Sequence, residues 1–251
     1  MKEDNPLVSI ITPSYNSQKT ISATYESLVK QTYTNWEWLV TDDCSHDNTV
    51  SLLTEIKRND PRVKIEVNNK NSGAGISRNN SIKRSQGRFV AFLDSDDTWH
   101  EDKLQKQIKF MLENNYALTY SYYTKMDSSG MLTKIIRCPF RVSYKELLKS
   151  NVIGCLTAIY DINAVGKVYM PSIRKRQDMA LWLKILNEID YAYCLQEELA
   201  FYREGHTSLS SNKTKILFSQ WSFYRDYLKF NILKSAYYFS FYVFRAIKKH
   251  S

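Results

Sequence analysis

The chain of 251 residues predicts an α/β fold: an open, mostly parallel sheet with helices on both faces, followed by a helical, aromatic-rich C-terminal extension. Three observations predict it. Short, β-branched apolar runs alternate with segments of helical period, and the runs start about 30 residues apart, the length of a βαβ unit. The runs are ended by turn or acidic residues: Pro13, Asp42-Asp43, Asn68 and Asp94. Past residue 215 the pattern becomes helical and aromatic without Gly/Pro punctuation.

The elements follow in order. Leu7–Thr12 is an apolar run stopped by Pro13, which predicts a buried strand. Ser17–Lys30 carries Ile21, Tyr25, Leu28 and Val29 at helical spacing. Trp36–Val40 is a second run, ended by Asp42-Asp43, and Asp47 is placed to cap a helix bearing Val50, Leu53 and Ile56. Val63–Val67 alternates as a strand, Asn68–Gly73 has turn chemistry, and Ala74–Ser85 predicts a helix. Arg88–Leu93 is the next buried run, ended by Asp94. Then come a helix at Asp102–Asn114, a hairpin of Ala117–Thr124 and Met131–Arg137 about the turn Asp127–Gly130, a helix at Gln177–Glu188 and a strand at Tyr191–Leu195. No repeat or flexible linker interrupts the chain. One domain over 1–210 is expected, with a nucleotide-binding half (1–100) and an acceptor-binding half (101–210), and then the extension 211–251.

Composition narrows the function. The net charge of +9 is spread without a run of five Lys/Arg, so a nucleic-acid partner is not expected, whereas phosphates and anionic lipid are. Cys44, Cys138, Cys155 and Cys194 form no CxxC pair, which argues against a zinc knuckle and fits a reducing compartment. Met1–Pro6 lacks the apolar core of a signal peptide, and Ser235–Phe244 is too short for a spanning helix, which needs roughly 20 residues. A cytoplasmic protein is expected, working at the inner face of the plasma membrane.

In an open parallel sheet, ligands gather at the carboxyl ends of the strands. The segments that follow the first four strands are Pro13–Asn16, Asp42–Asp47, Asn71–Gly75 and Asp94–Asp97. Four strands thus send acids, amides, a tyrosine and glycines to one edge. On an extended segment Asp94 and Asp96 would point the same way, and hard oxygen ligands suit Mg²⁺ or Mn²⁺ shared with phosphates. Asp97 or Thr98 could instead cap a helix starting near His100. Gly73-Ala74-Gly75 is followed by Arg78, so it is no GxGxxG, and no GxxxxGK[ST] exists; dinucleotide oxidoreductases and P-loop enzymes are set aside. His46, His100 and His250 have no partners at ligand spacing.

These segments resemble the inverting family 2 glycosyltransferases of GT-A fold. The resemblance is carried by Val8–Asn16, Val40–Thr49, Asn71–Asn79 and Gly87–Asp97, in order and at matching spacing, and more thinly by Arg176–Trp182 and Tyr202–Ser208. Within the family the chain is similar to small bacterial enzymes that build teichuronic acid, capsule or O-antigen. The resemblance implies roles. Tyr15 would border the nucleotide base, with Pro13 shaping its pocket. Asp43 would accept from a pyrimidine N–H, and Asp42 would support that loop. Arg78 would contact the nucleotide, and Asp94 the ribose or a metal-bound water. Asp96 would bind Mn²⁺ or Mg²⁺. Asp178 would be the general base, and Arg203 with Ser208 would meet the diphosphate. Members usually have an acid before the base; here Gln177 stands there. Asp178 could also serve only as the cap of its helix.

The implied reaction moves a sugar from a nucleotide diphosphate, UDP by family weight, to a hydroxyl of a lipid-linked glycan, inverting the anomeric carbon. A nucleotidyltransferase and a non-catalytic nucleotide-sugar-binding scaffold are the rivals. Residues 216–251 combine aromatics with Arg225, Lys229, Lys234, Arg245, Lys248 and Lys249 against the acid Asp226. That mixture predicts a peripheral membrane contact or a helix packed on the domain.

Overall fold

The computed structural model describes residues 5–204 and 213–248. Its first half is β1 (Val8–Ser14), α1 (Ile21–Val29), β2 (Trp36–Asp42), α2 (Thr49–Asn59), β3 (Val63–Val67), α3 (Ala74–Arg84) and β4 (Phe89–Phe92). Every residue of β1, β2 and β4 is buried, as β-branched and aromatic runs covered on both faces should be. The strands pair in parallel in the order β3-β2-β1-β4. The order reverses between β1 and β4, and a crevice at their carboxyl ends follows from that reversal.

The second half contains β5 (Thr98–Trp99), α4 (Lys103–Asn114), β6 (Leu118–Met126), β7 (Leu132–Ile136), β8 (Arg141–Val142), α5 (Tyr144–Lys149), a 3₁₀ turn at Cys155–Thr157, β9 (Ile159–Asp161), α6 (Ile162–Val165), α7 (Gln177–Ile185) and β10 (Ala192–Arg203). β9 runs antiparallel between β4 and β6 and joins the two halves into one sheet. Being antiparallel to both neighbours, it leaves β6 co-directional with β4, and β10 pairs parallel to β6. Arg203 at the end of β10 therefore arrives at the same edge as the loops after β1, β2 and β4.

Each face of the sheet has its own core. One contains Ile21, Leu28, Leu53, Leu104 and Trp38; the other contains Ile82, Leu147, Leu181 and Trp182. A fully buried side chain of this size contributes about 1.5–3 kcal/mol. These two apolar layers hold the strand ends, and with them the loops, in place.

Several sequence expectations are corrected. Asp97 does not cap a helix: β5 intervenes, α4 starts at Lys103, and its N-cap residue is Asp102. Asp47 lies one residue before the cap position Asn48, although its carboxylate does accept from Thr49 N–H at 3.0 Å. The strand expected at Tyr191–Leu195 runs on to Arg203, through register shifts between Leu195 and Ala200. The helix expected from Ser17 starts at Ile21, after a turn in which Ser17 C=O accepts from Ile21 N–H at 2.9 Å.

The extension is helical: α8 (Lys213–Ser222), a π-helical turn at Phe223–Tyr227 and α9 (Ile232–Lys248). It packs on the domain through Tyr224, which is fully buried and whose hydroxyl donates to Leu148 C=O at 2.5 Å. Its outer side keeps Phe218, Ile232, Leu233, Tyr237 and Phe244 exposed. Among the described residues no helix is long and apolar enough to cross a membrane.

Candidate active site

Short hydrogen bonds lock the loops of the carboxyl edge together. Asn16 N–H donates to Ser45 Oγ at 2.8 Å, and Asn16 Oδ1 accepts from His46 N–H at 2.9 Å, which ties the loop after β1 to the loop after β2. The Ser17 and Ser95 hydroxyls share a bond of 2.7 Å, which ties the β1 loop to the β4 loop. Asp43 Oδ1 accepts from Ser72 N–H at 2.8 Å and Oδ2 accepts from Gly73 N–H at 2.7 Å, which ties the β2 loop to the start of α3. Gly73 takes φ +90°, a conformation that a side chain would strain. Asp42 is fully buried and accepts from Ser45 N–H and Ser45 Oγ–H at 2.8 and 2.6 Å. Pro13 is a buried residue of β1, and Tyr15 stands out from the rim with 46% of its surface exposed.

Asp43 is almost fully buried, and burial alone would raise its carboxyl. The bonds from Ser72 N–H, the Asn68 amide and Gly73 N–H outweigh burial and hold it below the usual carboxylate range. Its contribution to stability is therefore present above the unfolded pKa, about 3.9, and lost as the pH falls through the lower folded value. Asp43→Ala orphans those donors, so a stability loss of about 2–4 kcal/mol near pH 7 is expected, with weaker nucleotide binding. Thermal melts should show the gap between variant and parent narrowing as the pH falls below about 3.9. An equal gap at both pH values would remove Asp43 from this role.

The acidic segment is a turn rather than an extended strand: Asp97 N–H donates to Asp94 C=O at 3.1 Å. The alternation expected for Asp94 and Asp96 therefore does not apply, and each acid has its own surroundings. Asp94 pairs with Arg78 of α3, whose guanidinium is buried beneath it. Burial opposes that guanidinium's charge, and the neighbouring Asp94 charge more than restores it. Arg78 Nε is buried with no hydrogen-bond partner among the described residues. Asp97 is buried and accepts from Arg203 N–H at 2.9 Å; burial, with the charges of Asp96 and Asp94 added, raises its carboxyl well above the usual range. Asp96 is exposed at its tip, while desolvation by the atoms packed around it, with the Asp94 charge added, pushes its carboxyl up to about 6. Among the described residues no side chain donates to it. Arg203 Nε donates to Asp96 C=O at 3.1 Å, so the end of β10 is bonded to the acidic turn.

Asp178 is the second residue of α7 and not its cap, a position held by Arg176 in a left-handed conformation. Its Oδ2 accepts from Asn151 Nδ2 at 2.9 Å. One turn on, Trp182 meets Phe92 edge-on with ring centroids 5.4 Å apart, and Phe92 lies two residues before Asp94. That contact yokes the helix bearing Asp178 to the acidic turn. Arg78, Asp94, Asp97 and Asp178 line one cavity of about 730 Å³, together with Cys155 and Tyr202. Pro13, Tyr15, Asp42, Asp43, Asp96 and Arg203 are not part of its lining. Asn151 and Cys155 carried no signal in the sequence, since neither sits in a motif; burial pushes the Cys155 thiol up, against the Arg78 charge beside it. Gln177 lies against α3, where a Cβ on Gly75 would come within 2.7 Å of its side-chain amide carbon. Ser208 and His206 lie outside the described residues.

Among the described residues no three Asp, Glu, His or Cys side chains gather as a metal cage. The donor set instead fits an ion held by one carboxylate, Asp96, with its other ligands drawn from phosphate and water, as hard cations of this kind accept. The charge of that carboxyl, which Arg203 and Arg78 offset only in part, is what such an ion would neutralise.

Known proteins resemble this chain in sequence and in fold. Residues 9–161 match the family described as Glycosyl transferase family 2. A Bacillus subtilis (strain 168) protein named for teichuronic acid biosynthesis, TuaG, is 42% identical over 97% of this chain and 97% of its own. The Escherichia coli UDP-Glc:α-D-GlcNAc-diphosphoundecaprenol β-1,3-glucosyltransferase WfgD is 42% identical over 99% of this chain and 96% of its own. The crystal structure of Staphylococcus aureus TarS residues 1–349 with UDP superposes with a TM-score of 0.67 at 25% identity, over 79% of this chain and 60% of that one.

Proposed function

Because the chain belongs to glycosyl transferase family 2, we propose that it transfers a sugar from a UDP-sugar, with inversion and with Mn²⁺ or Mg²⁺, to a hydroxyl of a lipid-linked glycan during assembly of a bacterial surface polysaccharide. The observation that carries the reading is the single cavity in which Asp178 faces Arg78 and the acidic turn. The names of the relatives support the acceptor class: one is named for teichuronic acid, the other for a diphosphoundecaprenol-linked sugar.

In this reading the base lies against exposed Tyr15, and the remaining lone pair of Asp43 Oδ2 accepts the pyrimidine N–H. Arg78 holds Asp94 so that its free oxygen faces the ribose. Bound to Asp96 and the diphosphate, Mn²⁺ or Mg²⁺ would supply Lewis-acid neutralisation of the leaving group's charge. The Arg203 guanidinium adds a charge-assisted hydrogen bond to the same diphosphate. Asp178, oriented by Asn151 through Oδ2, takes the acceptor hydroxyl proton on Oδ1. The acceptor oxygen bonds to the anomeric carbon as the bond to the diphosphate breaks, and UDP departs. One displacement turns an α-linked donor into a β-linked product, the anomer for which WfgD is named.

A nucleotide-sugar panel tests this. Release of UDP from a UDP-sugar, abolished by EDTA and restored by Mn²⁺ or Mg²⁺, is expected, with a β-anomeric proton in the product by NMR. Preference for a GDP- or dTDP-sugar would remove UDP from the account, and full activity in EDTA would remove the metal.

A further inference from the structure

Beside the cavity that holds Asp178 lies a second, open and largely apolar groove of about 760 Å³, and Arg174 lines both. One wall is Phe218, Ser219, Ser222, Phe223, Asp226 and Tyr227. Their spacing of one and three residues is that of a single helical face, continued from α8 into the π-helical turn. π-Turns occur frequently at functional sites. The opposite side is Ile173, Arg174 and Lys175, in the segment leading into α7. Arg174 and Lys175 are exposed, and among the described residues neither makes an ion pair. Asp226 is the acid of the lining, so the mouth keeps a positive balance. Apolar length, then a pair of exposed cations, then the cavity of the acidic turn is the order of chemistry in a lipid diphosphate that carries a sugar.

We propose that this groove binds the isoprenoid chain of a polyprenyl-diphosphate acceptor, with Arg174 and Lys175 gripping its diphosphate and the attached sugar reaching Asp178. The proposal deepens the reading above and rests on it for the identity of the reaction. Aromatic and aliphatic walls bury isoprenoid surface, and guanidinium and ammonium groups bind phosphate oxygens. The exposed Phe218 at the groove edge is explained as part of this lining, as is the presence of exposed cations next to a largely apolar surface.

Lys175→Glu reverses charge at the mouth, and Ser222→Trp fills the groove from its helical wall. For each, the apparent KM for a polyprenyl-diphosphate-linked monosaccharide is expected to rise about tenfold or more, while UDP binding and acceptor-free UDP release stay at the parent level. Geranylgeranyl diphosphate should inhibit the parent competitively against the lipid acceptor, and inorganic pyrophosphate much more weakly. Unchanged KM in both variants, or equal inhibition by pyrophosphate, overturns the groove. So does competitive inhibition by plain anionic vesicles that matches that of geranylgeranyl diphosphate, which would make this face a membrane contact. Direct titration with geranylgeranyl diphosphate separates the two claims: loss of UDP release in the parent would fail the reaction, and loss of this binding would fail the groove.

Discussion

Asp178→Asn is expected to keep nucleotide-sugar binding and to lower sugar transfer by about 10²–10⁴-fold, the usual worth of general-base assistance. The substitution is nearly isosteric, and the new side-chain carbonyl can accept from Asn151 Nδ2 as Oδ2 does now, at 2.9 Å. Helix α7 should be undisturbed, because its hold on the sheet comes from Met179, Leu181, Trp182 and Leu183, which are buried. Only basicity is lost. Single-turnover transfer measured beside UDP-sugar binding checks this, and transfer at the parent rate would show that the proton goes elsewhere.

Asp96→Ala is expected to abolish the metal-dependent part of nucleotide binding. With UDP and Mn²⁺ at a hundred times Kd, the parent should gain about 2.7 kcal/mol, or roughly 5–10 °C in Tm for a chain of this size. The variant should gain only what UDP gives in EDTA. The apo proteins should behave in the opposite sense. The Asp96 carboxyl is raised to about 6 by desolvation and by Asp94, so its ionisation opposes folding as the pH rises from the unfolded value, about 3.9, through about 6. Alanine removes that opposition, and at pH 7.5 the apo variant should melt no lower than the parent. A variant that melts lower without ligand, yet responds fully to UDP with Mn²⁺, would place the ion on another group.

In the parallel half β1, β2 and β4 were legible because they are buried on both faces and so appear as mainly apolar runs, Val8–Ile11, Trp36–Val40 and Phe89–Leu93, whereas β3, buried only at Val63, was legible by its alternation. The rim was legible through the strand-end rule, and Asp42, Asp43 and Asp94 stand where it puts them. What escaped is non-local. β9 has three residues and β5 two, too few for any period, and both exist because longer strands offer them free edges. Asp97 looked like a cap because local chemistry cannot show that β10 returns more than a hundred residues later to bond it. β10 hid its length because its shifts between Leu195 and Ala200 break the alternation. Asn151 precedes the 3₁₀ turn in a segment without pattern, and only the folded chain brings it to Asp178.

The contact of Trp182 with Phe92 acts as a spacer gauge behind the site. Both rings are wholly enclosed in protein interior, which resists compression and does not stretch to fit. The clearance between Asp178 on one side and the acidic turn on the other is therefore set by two aromatic rings buried behind them. If the proposed transfer holds, altering ring size at these two positions is expected to retune which sugars the aperture admits, from behind the groups that would meet the ligand.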